Sequence, residues 1–395
     1  MKHKSTRILT PKLRFPEFRD AGKWNKQKLG DIVALEYGSP LPEKDRKGGR
    51  FPVIGSNGIV GYHDEAIVDG PAIVVGRKGS AGQVNWIESD CYPIDTTFFV
   101  KNYDTESCPI AFLWRLLERS NLERLGDAGA VPGLNRNEVY LLKTYIPSPA
   151  EQQKIAECLS SLDGLIATEG RKLEALNAHK KGLMQQLFPQ PGETMPRLRF
   201  PEFRDSGEWE NKTLEEVADY ENGKAHEQDI DEHGKYIVVN SKFISTEGEV
   251  IKYSNSINLS ANKDDILMVL SDVPNGRAIA RCFLVDKDDT YTVNQRICKI
   301  TAQSVVSVLL FYILDRNTYF LAFDDGVKQT NLKKEDVLQC PIMLPKDEDE
   351  QQRIAACLTA LDTRINAQAE KIDTLKTHKR GLMQQLFPAM GEVEA

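Results

Sequence analysis

Several features are missing from this chain of 395 residues, and each absence closes off a class of function. No apolar run approaches the ~18 residues of a membrane-crossing helix. The opening stretch MKHKSTRILTPKLR has no apolar signal core, so the cytoplasm is the expected location and no membrane the expected partner. The seven cysteines form no C-x-x-C pair and no close Cys/His cluster, which argues against a zinc site. The six histidines, at positions 3, 63, 179, 226, 233 and 378, do not group. No H-E-x-x-H occurs, no D-P-P-Y/F or N-P-P-Y/F of an amino-methyltransferase, no phosphate loop of the order G-x-x-x-x-G-K-S/T, and no convincing nuclease motif. An excess of positive charge is also missing: the net charge is −7, which by itself disfavours a polyanionic partner. Only residues 1–29 are basic, with nine Lys/Arg against two Asp/Glu. Nucleic-acid binding would therefore have to rest on local patches.

What the chain does have is an internal repeat, the feature to seek before any other. LRFPEFRDAGKW (Leu13–Trp24) recurs as LRFPEFRDSGEW (Leu198–Trp209), 185 residues on. EQQKIAECL (Glu151–Leu159) recurs as EQQRIAACL (Glu350–Leu358), and HKKGLMQQLFP (His179–Pro189) as HKRGLMQQLFP (His378–Pro388), both 199 residues on. Each copy thus has near-identical ends around a middle that diverges almost completely, and the second middle is fourteen residues longer. A scaffold was duplicated and its interior varied.

The repeated C-terminal segments read as two long helices. Ile155, Leu159, Leu162, Ile166, Leu173, Leu176, Leu183 and Leu187 follow a 4-3-4 heptad spacing interrupted at Glu169 and Lys180. Ile354, Leu358, Leu361, Ile365, Ile372, Leu375, Leu382 and Leu386 repeat it, with gaps at Gln368 and Lys379. Ser148-Pro149-Ala150-Glu151 has the form of a capping box with proline at the first helical position, and Asp347…Glu350 is its counterpart. Pro189 and Pro388 end the helices. About 38 residues make a rod of roughly 57 Å. Such a seam needs a partner, either the other helix of the same chain, antiparallel, or a second subunit; equal lengths and matching gaps favour the internal pair and a pseudo-two-fold molecule. Cys158 and Cys357 read as small core residues. Leu183, Met184, Leu187 and Phe188 divide between seam and a partner's docking surface, while Lys180, Lys181, Lys379 and Arg380 read as a solvated or partner-facing edge.

The middles read as mixed α/β. In the first, Ala72–Lys78 and Thr96–Asn102 are expected strands and Cys108–Leu125 a helix. In the second, Ile266–Leu270, Ala278–Val285 and Tyr291–Ile300 are expected strands and Ser304–Phe323 a helix. GRKGSAG (Gly76–Gly82) is either a glycine-dependent turn between strands or a loop presenting side chains to a ligand, and the two readings are compatible. Both middles offer polar, amide-rich and basic turns at strand ends, GSNGIVGYH (Gly55–His63) among them. The side chains able to read base edges there are Arg77, Lys78, Ser80, Gln83, Thr96 and Thr97 in the first. In the second they are Asn240, Lys242, Ser271, Asn275, Arg277, Gln295, Arg296, Lys328 and Gln329. For any one of these, a merely polar loop is the simpler reading; the set across two divergent copies gives the other weight.

The combination resembles the specificity subunit of type I restriction–modification systems over nearly the whole chain. It is carried by the paired LRFPEF and EQQ…HK(K/R)GLMQQLF segments, by IVVGRKGSAGQV and PIDTTFFV in the first middle, and by ILMVLSDVPNGRAIA, YTVNQRIC and FDDGVKQTNL in the second. The resemblance implies two target recognition domains, 1–148 and 191–347, each reading one half of a bipartite site in double-stranded DNA. It implies that segments 149–190 and 348–395 carry antiparallel spacer helices that set the distance between the half-sites and dock two methyltransferase subunits, with restriction (motor-nuclease) subunits joining that core. It further implies that S-adenosylmethionine, ATP and magnesium belong to those partners, and that this chain holds no cofactor and no catalytic residue. A helical adaptor binding other proteins is the alternative.

Overall fold

The computed structural model describes residues 10–102, 107–126, 133–226, 229–274 and 276–388. The chain divides into two compact units, residues 1–171 with 369–395, and residues 172–368. Two helices of 39 residues, Pro149–Leu187 and Glu348–Leu386, each contribute their first half to one unit and their second half to the other. No helix among the described residues is long and apolar enough to cross a membrane.

In the first unit the strand Val33–Tyr37 opens a four-stranded antiparallel sheet, followed in spatial order by Thr97–Asn102, Ala72–Gly76 and Val84–Ile87. A second sheet orders Gly58–His63, Phe51–Gly55 and Tyr92–Pro93. Ala72–Gly76 is buried along its whole length, and its period of two serves two cores. Ile73 and Val75 pack with Phe98, Phe112, Leu113 and Leu117 beneath the helix Ile110–Arg119, while Ala72 and Val74 pack with Ile54 and Cys91. The ends of the domain are stitched by Asn25–Lys28 against Lys143–Ile146.

The second unit repeats this plan. Its sheet runs Ala218–Asn222, Ile297–Ala302, Ile266–Val269, Cys282–Leu284, and Glu210–Thr213 pairs with Pro341–Leu344. Ile266 and Met268 face one core with Leu309, Leu310 and Phe320; Leu267 and Val269 face another with Val239, Phe243 and Val293. Three expected elements are interrupted. Tyr291–Ile300 divides into strands Tyr291–Val293 and Ile297–Ala302 because Arg296 turns at φ 71°. Ala280, at φ 54°, limits the strand expected over Ala278–Val285 to Cys282–Leu284. Arg316, at φ 56°, cuts the helix expected over Ser304–Phe323 into Ser307–Leu314 and Thr318–Leu321. In the first unit the helix expected to reach Leu125 ends at Arg119, and Asn121 at φ 47° starts a separate turn, Leu122–Leu125.

The repeated motifs build two matching clamps. Arg14 donates to both carboxylate oxygens of Glu151 at 2.7 and 2.6 Å and to Ala21 O at 2.6 Å. Arg199 does the same to Glu350 at 2.7 and 2.6 Å and to Gly207 O at 2.6 Å. Both glutamates are 1% exposed. The glutamate expected to close a capping box is thus taken by an arginine far away in sequence. Beside it, Gln152 donates to Pro147 O at 3.0 Å and Gln351 to Pro345 O at 2.9 Å. The leucine of each LRFPEF reaches a helix end, the Leu13 amide donating to Gln385 O and the Leu198 amide to Gln186 O.

Within each unit the helix halves run antiparallel. In the first, Lys379 meets Asp163 at 2.8 Å and Lys371 meets Glu169 at 3.1 Å; in the second, Lys180 meets Asp362 at 2.6 Å. All sixteen heptad residues are buried or half-buried. Ile155, Leu159 and Leu386 are embedded in the first unit's core, and Leu187, Ile354 and Leu358 in the second's. Leu183, Met184 and Phe188, all half-buried, pack against that second core. Phe387 stacks on Phe112 at 5.6 Å and meets Trp24 edge-on at 6.0 Å, as Phe188 meets Trp209 at 6.2 Å. Lys180 and Lys379 are likewise paired inside, their side chains 24% and 15% exposed, whereas Lys181 and Arg380 are exposed. Cys158 and Cys357 are half-buried and belong to neither core.

Candidate nucleic-acid interface

Each unit ends its main sheet in a rim held by main-chain bonds. In the first, Thr96 O accepts from the Arg77 amide at 2.9 Å, the Lys78 amide at 3.1 Å and the Ser56 hydroxyl at 2.6 Å. Arg77 O in turn accepts from the Leu134 amide at 2.8 Å, and Gly38 donates to Thr97 O at 3.1 Å. This network brings Gly38, Ser56, Arg77, Lys78, Thr96 and Leu134 together from five separate stretches.

The second rim has the same wiring with other residues. Leu270 donates to Arg296 O at 2.8 Å, Leu332 donates to Leu270 O at 2.8 Å, and Gly223 donates to Ile297 O at 2.8 Å. Aligned by these bonds and by strand register, Arg77 matches Leu270, Lys78 matches Ser271, Thr96 matches Arg296 and Tyr37 matches Asn222. Gly38 and Gly223 coincide, and neither tolerates a side chain. A Cβ would come within 2.2 Å of Ile94 O in one and 2.0 Å of Asn294 O in the other.

The structure gathers most of the sequence candidates on these rims. Arg77, Lys78 and Thr96 lie on the first. On the second, Ser271 pairs with Asn331 in a short ribbon, Gln329 donates to the Ser271 hydroxyl at 2.7 Å, and the Gln295 amide donates to Lys224 O. Asn240 lies alongside, since Asn294 donates to Val239 O. Lys78, Lys242, Arg277, Gln295, Arg296, Lys328 and Gln329 are exposed, and Arg77, Ser80, Gln83, Thr96 and Asn240 half-buried. Asp272 shapes the loop that carries Arg277, accepting from the amides of Val273, Ala278 and Ile279 at 2.8, 2.6 and 3.2 Å. The amides of Lys328 and Val327 hold the Asp325 carboxyl below its ordinary value and fix the neighbouring turn.

Three candidates need correction. Thr97 is fully buried, its hydroxyl donating to Ile94 O at 2.7 Å, so it supports the rim from beneath. Ser271 is 7% exposed and its hydroxyl is already an acceptor for Gln329, which leaves the glutamine as the outward group. Asn240 spends its side-chain oxygen capping the helix Ser241–Ser245, accepting from the Phe243 amide at 2.9 Å. Asn275 lies outside the described residues. The glycines of GRKGSAG serve a hairpin. A Cβ on Gly76 would strike Ser80 O at 2.1 Å, and one on Gly82 the backbone of Leu122 and Glu123 at 2.3–2.4 Å.

Sequence reasoning missed Tyr37, Arg136 and Lys224. Tyr37 is 51% exposed, with the guanidinium groups of Arg77 and Arg136 at 5.0 and 4.9 Å from its ring. A signal was present. Glu36-Tyr37-Gly38 and Glu221-Asn222-Gly223 stand at the same 185-residue offset as the LRFPEF motifs, so the repeat extends to the rim. No group of three or more metal-binding side chains occurs among the described residues.

The family model described as type I restriction modification DNA specificity domain matches residues 21–178 and again 206–377. The chain belongs to this family. It is similar to the MjaVIII specificity subunit of Methanocaldococcus jannaschii, at 26% identity over 290 residues, 69% of this chain and 67% of that protein. It is also similar to the EcoprrI specificity subunit of Escherichia coli, at 29% over 159 residues, 39% of either chain. In fold it resembles the crystal structure of a type I system S subunit from M. genitalium. The TM-score is 0.66 at 15% identity, covering 97% of this chain and 100% of that one. As a specificity subunit the chain is a DNA-recognition component and not the catalytic one.

Proposed function

We propose that the two rims are the DNA readers and that each reads one half of a bipartite site. The observation that carries this reading is the shared frame. The same main-chain wiring presents Arg77, Lys78 and Thr96 in one domain and Leu270, Ser271 and Arg296 in the other, so the side chains change while the platform does not. Arginine, lysine and the side-chain amides are the groups that pair with guanine and adenine edges in the major groove. The acidic overall balance is compatible with this if partner subunits supply much of the phosphate contact, the salt-sensitive part of affinity.

In this proposal the paired helices set the spacer, and two methyltransferase subunits dock on the chain, with restriction subunits added to that core. One methyltransferase flips an adenine out of the stack, because its amino group is inaccessible within the duplex. S-adenosylmethionine, ATP and magnesium act in those partners. Methylation-sensitive sequencing of DNA treated with the assembled methyltransferase complex tests the reading. The expected result is one motif of two fixed halves around a gap of constant length. Arg277→Ala should cost about 1–3 kcal/mol of discrimination and relax one position of one half only. A continuous motif, or Arg277→Ala relaxing both halves alike, would overturn the assignment.

A further inference from the structure

Arg77 and Tyr37 form a device that the second rim lacks. The Arg77 guanidinium lies 5.0 Å from the exposed Tyr37 ring and 6.0 Å from the buried Phe98 ring, and those two rings are 5.0 Å apart. Its side chain donates no hydrogen bond and joins no ion pair among the described residues. Arg136 shares the Tyr37 ring but is drawn back by a 3.3 Å bond to Leu35 O. An arginine held against aromatic rings through its cation, with no side-chain hydrogen bond of its own, keeps its N–H groups available, in the fork that matches two acceptors in one plane. Guanine presents such a pair, N7 and O6, in the major groove.

We propose that Tyr37 is a specificity-determining positioning residue, which holds Arg77 edge-on for a guanine in the half-site read by the first domain. The inference rests on the reading of the rims as DNA-facing. At the matching places the second rim has Leu270 and Asn222, and the Asn222 side chain accepts from the Tyr220 hydroxyl at 2.6 Å. The device therefore belongs to one half-site. A phosphate contact by Arg77 is the competing chemistry, and it makes a different forecast: equal loss on every sequence and a shallower salt dependence.

The test uses the full chain assembled with its methyltransferase partner, on duplexes randomised across both half-sites, with methylation read position by position. The variants are Arg77→Ala, Arg77→Lys, Tyr37→Phe and Tyr37→Asn, the last being the residue the second rim carries on the same frame. Arg77→Ala and Arg77→Lys should reduce preference at one G·C position of one half-site, by on the order of ten- to a hundredfold. Tyr37→Asn should relax that same position by about two- to fivefold, and Tyr37→Phe should retain the wild-type preference. If the Arg77 variants relax a position that Tyr37→Asn leaves untouched, Tyr37 is not a positioning residue while the rim assignment stands. If the Arg77 variants alter no position, the rim assignment itself fails at Arg77. Uniform weakening on all sequences assigns Arg77 to phosphate and overturns the proposal.

Discussion

The two recognition domains diverge in sequence through their interiors and keep the same strand order in the main sheet, yet their rims carry different side chains. On one rim stand Tyr37, Arg77 and Thr96, on the other Asn222, Leu270 and Arg296, each set at matching points of one hydrogen-bonded frame. The frame is built from amides and carbonyls, which every residue but proline supplies in full. Rim side chains can therefore change without rewiring the backbone, and only positions such as Gly38 and Gly223, where no Cβ fits, stay fixed. The clamps obey the opposite rule. Arg14–Glu151 and Arg199–Glu350 depend on particular side chains in particular geometry, and there the copies agree within 0.1 Å.

That contrast is broken most forcefully at the clamps. Removing one member of a buried pair leaves a charge with no partner, at about 3–5 kcal/mol. Arg14→Ala and Arg199→Ala should each destabilise their own unit by that amount and to nearly the same extent, measured by denaturant unfolding of the single variants. A cost below about 1 kcal/mol in either copy would show that its clamp is decoration.

Where the copies diverge inside, the costs should diverge as well. Asp163 accepts from Arg115, which is fully buried, and from Lys379; Asp362 accepts from Lys180 and from the Tyr312 hydroxyl at 2.6 Å. Asp163→Ala strips a buried guanidinium of all but its bond to Glu118, a loss of about 3 kcal/mol. Asp362→Ala strips a partly buried ammonium and a neutral phenol, about 1–2 kcal/mol. Equal losses would mean that Arg115 finds another acceptor when Asp163 is gone.

The parts legible in the sequence were those written in local or repeated patterns. The heptads of Ile155–Leu187 and Ile354–Leu386, Pro149 at the start of the first helix, Pro189 and Pro388 after the ends of both, and the short apolar β-branched run of Ala72–Gly76 all announce their structure within a few residues. The clamps were not legible, because Arg14 and Glu151 are 137 residues apart and the capping-box pattern offered a local explanation for the same glutamate. Lys180 and Lys379 looked like solvated breaks in a seam, since nothing nearby reveals that Asp362 and Asp163 lie opposite. The interruption at Arg296 is tertiary too, for its positive φ goes with a carbonyl that receives the Leu270 amide. At the rims, polar composition found Arg77, Lys78, Arg277 and Arg296 but could not tell Thr96, whose carbonyl organises the turn, from the buried Thr97. Tyr37 escaped because it lies outside the polar turns that the sequence singles out.

The smallest expected difference between the copies is their response to alkali. Burial, and then the hydrogen bond to Asp362, push the Tyr312 phenol well above the ordinary tyrosine value. Unfolding restores that value, near 10. Above about pH 10 the unfolded chain therefore releases a proton that the folded chain keeps, and the native state binds more protons. Stability falls as pH rises wherever that holds, so this contribution is complete below about pH 10 and is lost above it, at about 1.4 kcal/mol per pH unit. Tyr312→Phe should cost about 1 kcal/mol at neutral pH through the lost bond to Asp362. It should also flatten the alkaline decline of the second unit relative to the wild type. Asp163 has no phenol in the matching place, only Arg115 and Lys379, so no tyrosine substitution there should produce this flattening. Wild-type and Tyr312→Phe stability curves that run parallel from pH 9 to 11 would show that the Tyr312 phenol does not hold its proton longer in the folded chain.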